Sequence, residues 1–202
     1  MRIKLMFFIL MGMTIPSALH AGAHIQVSLL GGVSNYSDGI LSVDKRLPHI
    51  PSGGVGFTIG MRSSVDLGLN FRYSSDSFTY SPDLFAMPDQ SVESIDFSDT
   101  AVDVSGLYKF YQPESRTITA YIGGGAGVCF ISLDSDKLNG VTEDLDKKSF
   151  STLHAIAGLR FKLAVFPAAI TIEGRYSSFK ISEETIGVHS INAGISFYLY
   201  NS

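Results

Sequence analysis

The sequence predicts an all-β fold: an eight-stranded antiparallel up-and-down transmembrane β-barrel, preceded by a cleavable signal peptide. Three observations lead there. They are a charged and then apolar N-terminal segment, period-two alternation along the rest of the chain, and connections that alternate short and long.

At the N-terminus, Arg2 and Lys4 supply charge, and Leu5 to Met13 form an apolar core too short to span a bilayer. Ala21-Gly22-Ala23 satisfies the small-x-small rule and predicts a mature start at His24, while Leu19-His20-Ala21 points to Gly22. Residues 1–23 are therefore read as signal peptide and 24–202 as one barrel domain. No lipid-accepting cysteine sits at the junction.

The strand signal is clearest from Ser64 to Ser74. Val65, Leu67, Leu69, Phe71 and Tyr73 take one face, and Asp66, Gly68, Asn70, Arg72 and Ser74 the other. Seven other stretches read alike, near 24–36, 52–62, 100–111, 117–131, 151–163, 168–178 and 187–200. Their apolar sets include Val55, Phe57, Ile59 and Met61, then Val102, Val104, Tyr108 and Phe110, and finally Ile191, Ala193, Ile195, Phe197 and Leu199. Short turns are expected near Ser63-Ser64, Gln112-Pro113-Glu114 and Ala164 to Pro167. Longer connections are expected over 37–51, 75–98, 132–149 and 178–186. Outer-membrane barrels pair short periplasmic turns with long extracellular loops, and an even strand count puts both termini in the periplasm.

Composition removes several function classes. With 15 Lys and Arg against 19 Asp and Glu, net charge −4, the chain lacks the basic footprint that nucleic acid requires. Cys129 is the single cysteine, so no intramolecular disulfide forms, and a buried thiol is expected. The run from Gly123 has Val128 where G-x-G-x-x-G needs glycine, and no helix pattern follows it. The segment from Asp134 to Gly140 misplaces the glycine of a calcium loop, and Leu145 stands where a bidentate acid is needed. No metal or cofactor is expected.

Alternation alone does not decide which face meets lipid, because a soluble lipocalin-like barrel has the same period with the faces reversed. Aromatic placement and charge decide for lipid. Phe71 and Tyr73 fall at one rim, and Tyr108, Phe110, Phe161 and Phe197 near the other, as interfacial girdles do. Arg72, Asp103, Glu173 and Arg175 share the polar parity at similar distances from their short-turn ends, with His154 and Arg160 as further members. Pointed into a narrow lumen they pair with one another, which predicts a plugged interior.

With those residues in hand, the chain resembles the eight-stranded outer-membrane barrels of the OmpA, OmpX and OmpW type over nearly its whole length. The stretches that carry the resemblance are Thr119 to Val128, Ile156 to Leu163 and Ile191 to Tyr200. The resemblance implies residence in the bacterial outer membrane among its lipids. It also implies recognition of the last strand by the barrel-assembly machinery, through Asn192, Gly194, Phe197, Leu199 and Tyr200. Such families usually finish on an aromatic residue, whereas this chain reads on through Asn201 and Ser202.

Three functional readings follow. In the first, the barrel is non-catalytic and its loops meet an extracellular or host partner. The best candidate is the acidic segment from Asp76 to Asp99, which has no Lys or Arg and carries Phe78, Tyr80 and Phe85. The second is an OmpW-like conduit for small apolar molecules, with Leu30, Leu107 and Ile156 on the inward parity. The third is a lipid-A-modifying enzyme using His189 and Ser190 or His154 and Ser151. Both pairs fail on parity, since their members fall on opposite faces.

Overall fold

A strand with one apolar and one polar face needs two different environments, and closing the sheet on itself supplies them without leaving an edge. The computed structural model describes residues 24–37, 49–60, 64–80, 93–111, 117–134, 148–181 and 184–201. The signal segment with both cleavage sites, and Phe85, lie outside those residues. Eight strands follow in order: β1 His24–Tyr36, β2 Ile50–Gly60, β3 Val65–Tyr80, β4 Glu93–Tyr111, β5 Ile118–Asp134, β6 Lys148–Lys162, β7 Ala168–Ile181 and β8 Glu184–Asn201. Each pairs antiparallel with the next, and β8 returns to β1 to close the barrel.

The alternation fixes which face is which. Leu67, Phe71 and Tyr73 on β3, Val104 and Tyr108 on β4, and Ile191, Ile195 and Phe197 on β8 are exposed, while Asp66, Ser105, Asp103, Asn192 and Ser196 are buried. Along this band the outside is apolar and the inside mostly polar, the inverse of a soluble barrel. Two bulges sit near the short-turn end, where the register shifts between Lys109 and Tyr111 on β4 and between Ile25 and Gln26 on β1. Bulges at a barrel rim sharpen the local twist. Gly125 and Gly194 face inward where a Cβ would strike the backbone of the neighbouring strand, so glycine permits the close approach there.

The strands reach further toward the long connections than alternation indicates. The β3–β4 ladder continues above Ser74↔Asp99 as far as Tyr80↔Glu93, so 75–80 and 93–98 are strand rather than loop. Likewise β2 begins at Ile50, β5 extends to Asp134, β6 begins at Lys148, and β7 and β8 run to Ile181 and from Glu184. The backbone ladder continues past the apolar band, and outside the band neither face requires alternating side chains.

Candidate functional site

The lumen is the candidate site, and its side chains form three layers. In the middle layer Asp103 is wholly buried and takes three donors. Arg72 Nε lies 3.0 Å and Arg175 Nη1 2.6 Å from its Oδ2, and Thr152 donates to Oδ1 at 3.4 Å. Arg175 Nη2 also reaches Glu173 at 3.3 Å, and Tyr121 donates its hydroxyl to the second Glu173 oxygen at 3.1 Å. Five strands, β3 to β7, are thereby tied across the barrel, and each buried charge has an opposite charge against it.

Nearer the short turns a second layer centres on Asp66, also wholly buried. Lys109 Nζ lies 2.7 Å, Arg160 Nη1 3.3 Å and His24 Nε2 3.8 Å from its carboxylate. The Arg160 guanidinium stacks 4.5 Å from the centroid of the Tyr121 ring, joining this layer to the middle one through Glu173. Uncharged hydrogen bonds complete the wall, with Ser196 bridging Ser28 at 2.8 Å and Thr171 at 2.7 Å.

Toward the long connections the lumen turns apolar. Tyr36, Ile50, Phe97, Cys129, Ile131, Phe179, Ile186 and Val188 pack into one buried cluster, with Phe150 against it. The Tyr36 and Phe97 rings meet edge-on at 5.0 Å. Tyr36 spans the boundary, donating its hydroxyl to Asp99 at 2.8 Å. A smaller apolar cluster, Leu107, Tyr121 and Ile156, lies lower down. Beside Leu30, Arg72 and Arg175, the crevice against β1 and β2 has a volume of about 10 Å³, room for about one water molecule.

Of the six residues expected in a lumen network, Arg72, Asp103, Glu173 and Arg175 are joined directly. His154 stands beside Asp103, its Nδ1 3.6 Å from Oδ1. Arg160 pairs with Asp66 instead, because it projects nearer the short-turn end. Asp66, Lys109, Tyr121 and the apolar upper layer escape a reading by strand alone. Inward parity places Asp66 and Lys109 in the lumen, but their meeting depends on the stagger of strands around the barrel.

His154 and Asp103 also raise the question of acyl chemistry, since Ser105 Oγ lies 2.9 Å from His154 Nε2. The order Ser, His, Asp is that of a charge-oriented nucleophile, but the geometry does not complete it. The His154 to Asp103 distance is too long for a hydrogen bond, Asp103 is held by two arginines, and Asn70 donates to Ser105 at 3.2 Å. All three are buried. His189 is exposed on the outside while Ser190 is buried inside, and Ser151 and His154 divide in the same way.

On the outer face Phe71, Tyr73, Tyr108, Phe110 and Phe197 are exposed, and Phe161 is half-buried. In β8, Asn192 is buried and donates to Ser190 at 3.4 Å, Gly194 faces the β1 backbone, and Leu199 is exposed. Tyr200 pairs with Ile25. Phe78 and Tyr80 lie on the upper part of β3, opposite Ile95 and Glu93, and their side chains fall outside the description.

A filled lumen inside an apolar cylinder with one short-turn and one long-connection end is the layout of a membrane barrel, and the family comparison agrees. The model of the outer membrane protein beta-barrel domain matches residues 6–198. The chain belongs to that family. Its place is the bacterial outer membrane. Among solved structures it is similar to Neisserial surface protein A, with a TM-score of 0.62 at 14% identity over 87% of this chain and 98% of that one. OprG from Pseudomonas aeruginosa follows at 0.56 and 13% over 90% and 97%, and Ail, the attachment invasion locus protein of Yersinia pestis, at 0.50 and 17% over 87% and 97%. These likenesses are of fold. No curated protein matches the chain.

Proposed function

We propose that this is a non-catalytic surface barrel, whose closed lumen makes it a rigid mount for extracellular segments that meet a partner outside the cell. The observation that carries this reading is the filling of the lumen by two ionic layers and an apolar one, with a crevice of only about 10 Å³ beside them. Adhesion, partner binding and support of the envelope all suit such a mount. The β3–β4 hairpin is the chief presenting element, since its ladder continues to Tyr80↔Glu93. An open cleft of about 550 Å³ lies along it, lined by Tyr73, Asp76 and Asp96 with serine hydroxyls from Ser75, Ser77 and Ser98.

Replacing 81–92 by a Gly-Ser linker of equal length tests the reading on whole cells. The barrel should still assemble, while attachment of the cells to their surface or partner should fall. Attachment that depends on the barrel but is indifferent to this exchange, and to equivalent exchanges of 38–48 and 135–147, would overturn it.

One observation favours a second reading, a conduit for small apolar molecules. The upper lumen is lined by apolar side chains rather than by charges, and Leu107 and Ile156 extend that character downward. Uptake of an apolar tracer by proteoliposomes supports it only if uptake falls when Ile186→Arg is introduced.

A further inference from the structure

Toward the long connections the outward faces of β3, β4 and β5 change character from one row to the next. At the rim of the apolar band Tyr73 pairs with Thr100, which pairs with Phe130, and all three are exposed. In the next outward row Ser75 pairs with Ser98, and Ser98 with Ser132. Three hydroxyls thus stand side by side on neighbouring strands, about 4.8 Å apart. No hydrogen bond ties any of them to another described residue. One row further on, Ser77 and Asp96 pair with each other and both are exposed. Asp76 beside them is half-buried, and its carboxylate accepts from the Ser77 backbone N–H at 2.9 Å.

These side chains line the cleft of about 550 Å³ along the β3–β4 hairpin. That volume falls among those of small-ligand sites, about 300–1,000 Å³. Five hydroxyls and two carboxylates line it, without an ammonium or guanidinium group. Such a lining matches a polyol. Hydroxyls donate and accept, a carboxylate takes charge-assisted bonds from neighbouring sugar hydroxyls, and the Tyr73 ring offers an apolar face to the C–H side of a sugar. The same carboxylates repel sulfate, phosphate and sialic acid. A basic peptide would use Asp76 and Asp96 but leave the serine row without a task.

We propose, resting on the reading of this hairpin as the presenting element, that the cleft binds the end of a neutral glycan on a surface outside the cell. Tyr73 stacks against the sugar ring, Ser75, Ser98 and Ser132 bond its hydroxyls, and Asp96 accepts from an adjacent pair of them.

The test applies the folded barrel in detergent to an array of neutral, sialylated and sulfated animal-cell oligosaccharides. Core oligosaccharides of bacterial lipopolysaccharide and a heptalysine peptide stand beside them. Neutral glycans should be bound at least tenfold more tightly than sialylated or sulfated ones. Asp96→Ala and Ser98→Leu should each weaken that binding about tenfold, a loss of about 1.4 kcal/mol. Both positions face outward beyond the apolar band, so the barrel wall is left intact, and the heat-induced mobility shift on gels checks that each variant is folded. Absence of binding to every neutral glycan, or equal binding by wild type and both variants, would overturn the site. Preference for sulfated glycans, for heptalysine or for the bacterial core oligosaccharides would overturn the assignment of its ligand. Loss of cell attachment on exchange of 81–92, with no neutral glycan bound, would overturn the glycan and keep the mount. Glycan binding by a barrel whose cells attach regardless of all three loop exchanges would support the site and overturn the mount.

Discussion

The middle of the lumen and its long-connection end close the same barrel by opposite means. In the middle, Asp103, Arg72, Arg175 and Glu173 are taken out of water, and each is tolerable only because an opposite charge stands within hydrogen-bond reach. At the long-connection end, Tyr36, Ile50, Phe97, Ile131, Phe179 and Ile186 exclude water by close packing, which is non-directional. The first arrangement is specific and brittle, because removing one partner strands the others. The second is tolerant, because apolar volume is exchangeable. The apolar layer also shields the ionic one from outside water, which strengthens the attractions below it.

That contrast can be broken or sharpened by substitution, and urea titration of folding into lipid vesicles measures each case. The largest effect is expected for Asp103→Ala, which leaves Arg72 and Arg175 without their shared carboxylate and should cost about 3–5 kcal/mol. A loss under 1 kcal/mol would mean that the middle layer is hydrated rather than paired. On the outer face, Leu69→Arg places a charge in lipid near the middle of the apolar band and should cost about 2–4 kcal/mol, whereas insertion unchanged from wild type would contradict the assignment of faces. Tyr36→Phe removes the hydroxyl that joins the apolar layer to buried Asp99, for an expected loss of about 1–3 kcal/mol. The smallest effect belongs to Ile131→Leu, an exchange of equal volume in the apolar layer, at less than about 1.5 kcal/mol. An Ile131→Leu loss as large as that of Asp103→Ala would erase the distinction between the two regions.

The same contrast explains what could be read from the sequence. The eight strands and their two faces were legible because lipid outside and polar lumen inside impose opposite demands on alternate residues, as Val65 to Tyr73 show against Asp66 to Arg72. The meeting of Arg72 with Asp103 and Arg175 followed from shared parity and height. The apolar upper layer was hidden, because Ile50, Phe97, Phe179 and Ile186 all fall in segments that read as connections. They are inward and apolar where the pattern below makes inward residues polar, so the alternation loses its contrast just where the strands continue. The pairing of Asp66 with Lys109 and Arg160 was hidden for another reason. It crosses the barrel between strands that are not all neighbours, and the β4 register shift near Lys109 has no sequence signature.

The central claim is that two unlike closures act in series, and planar-bilayer conductance of the refolded barrel tests it most directly. Three proteins are compared: the wild type, Glu173→Gln with Arg175→Gln, and that variant with Phe97→Ala and Ile186→Ala added. The account predicts silence from the first two, because the apolar layer still seals the lumen when the ionic one is loosened, and discrete single-channel steps from the third. Stable steps from the wild type would contradict it.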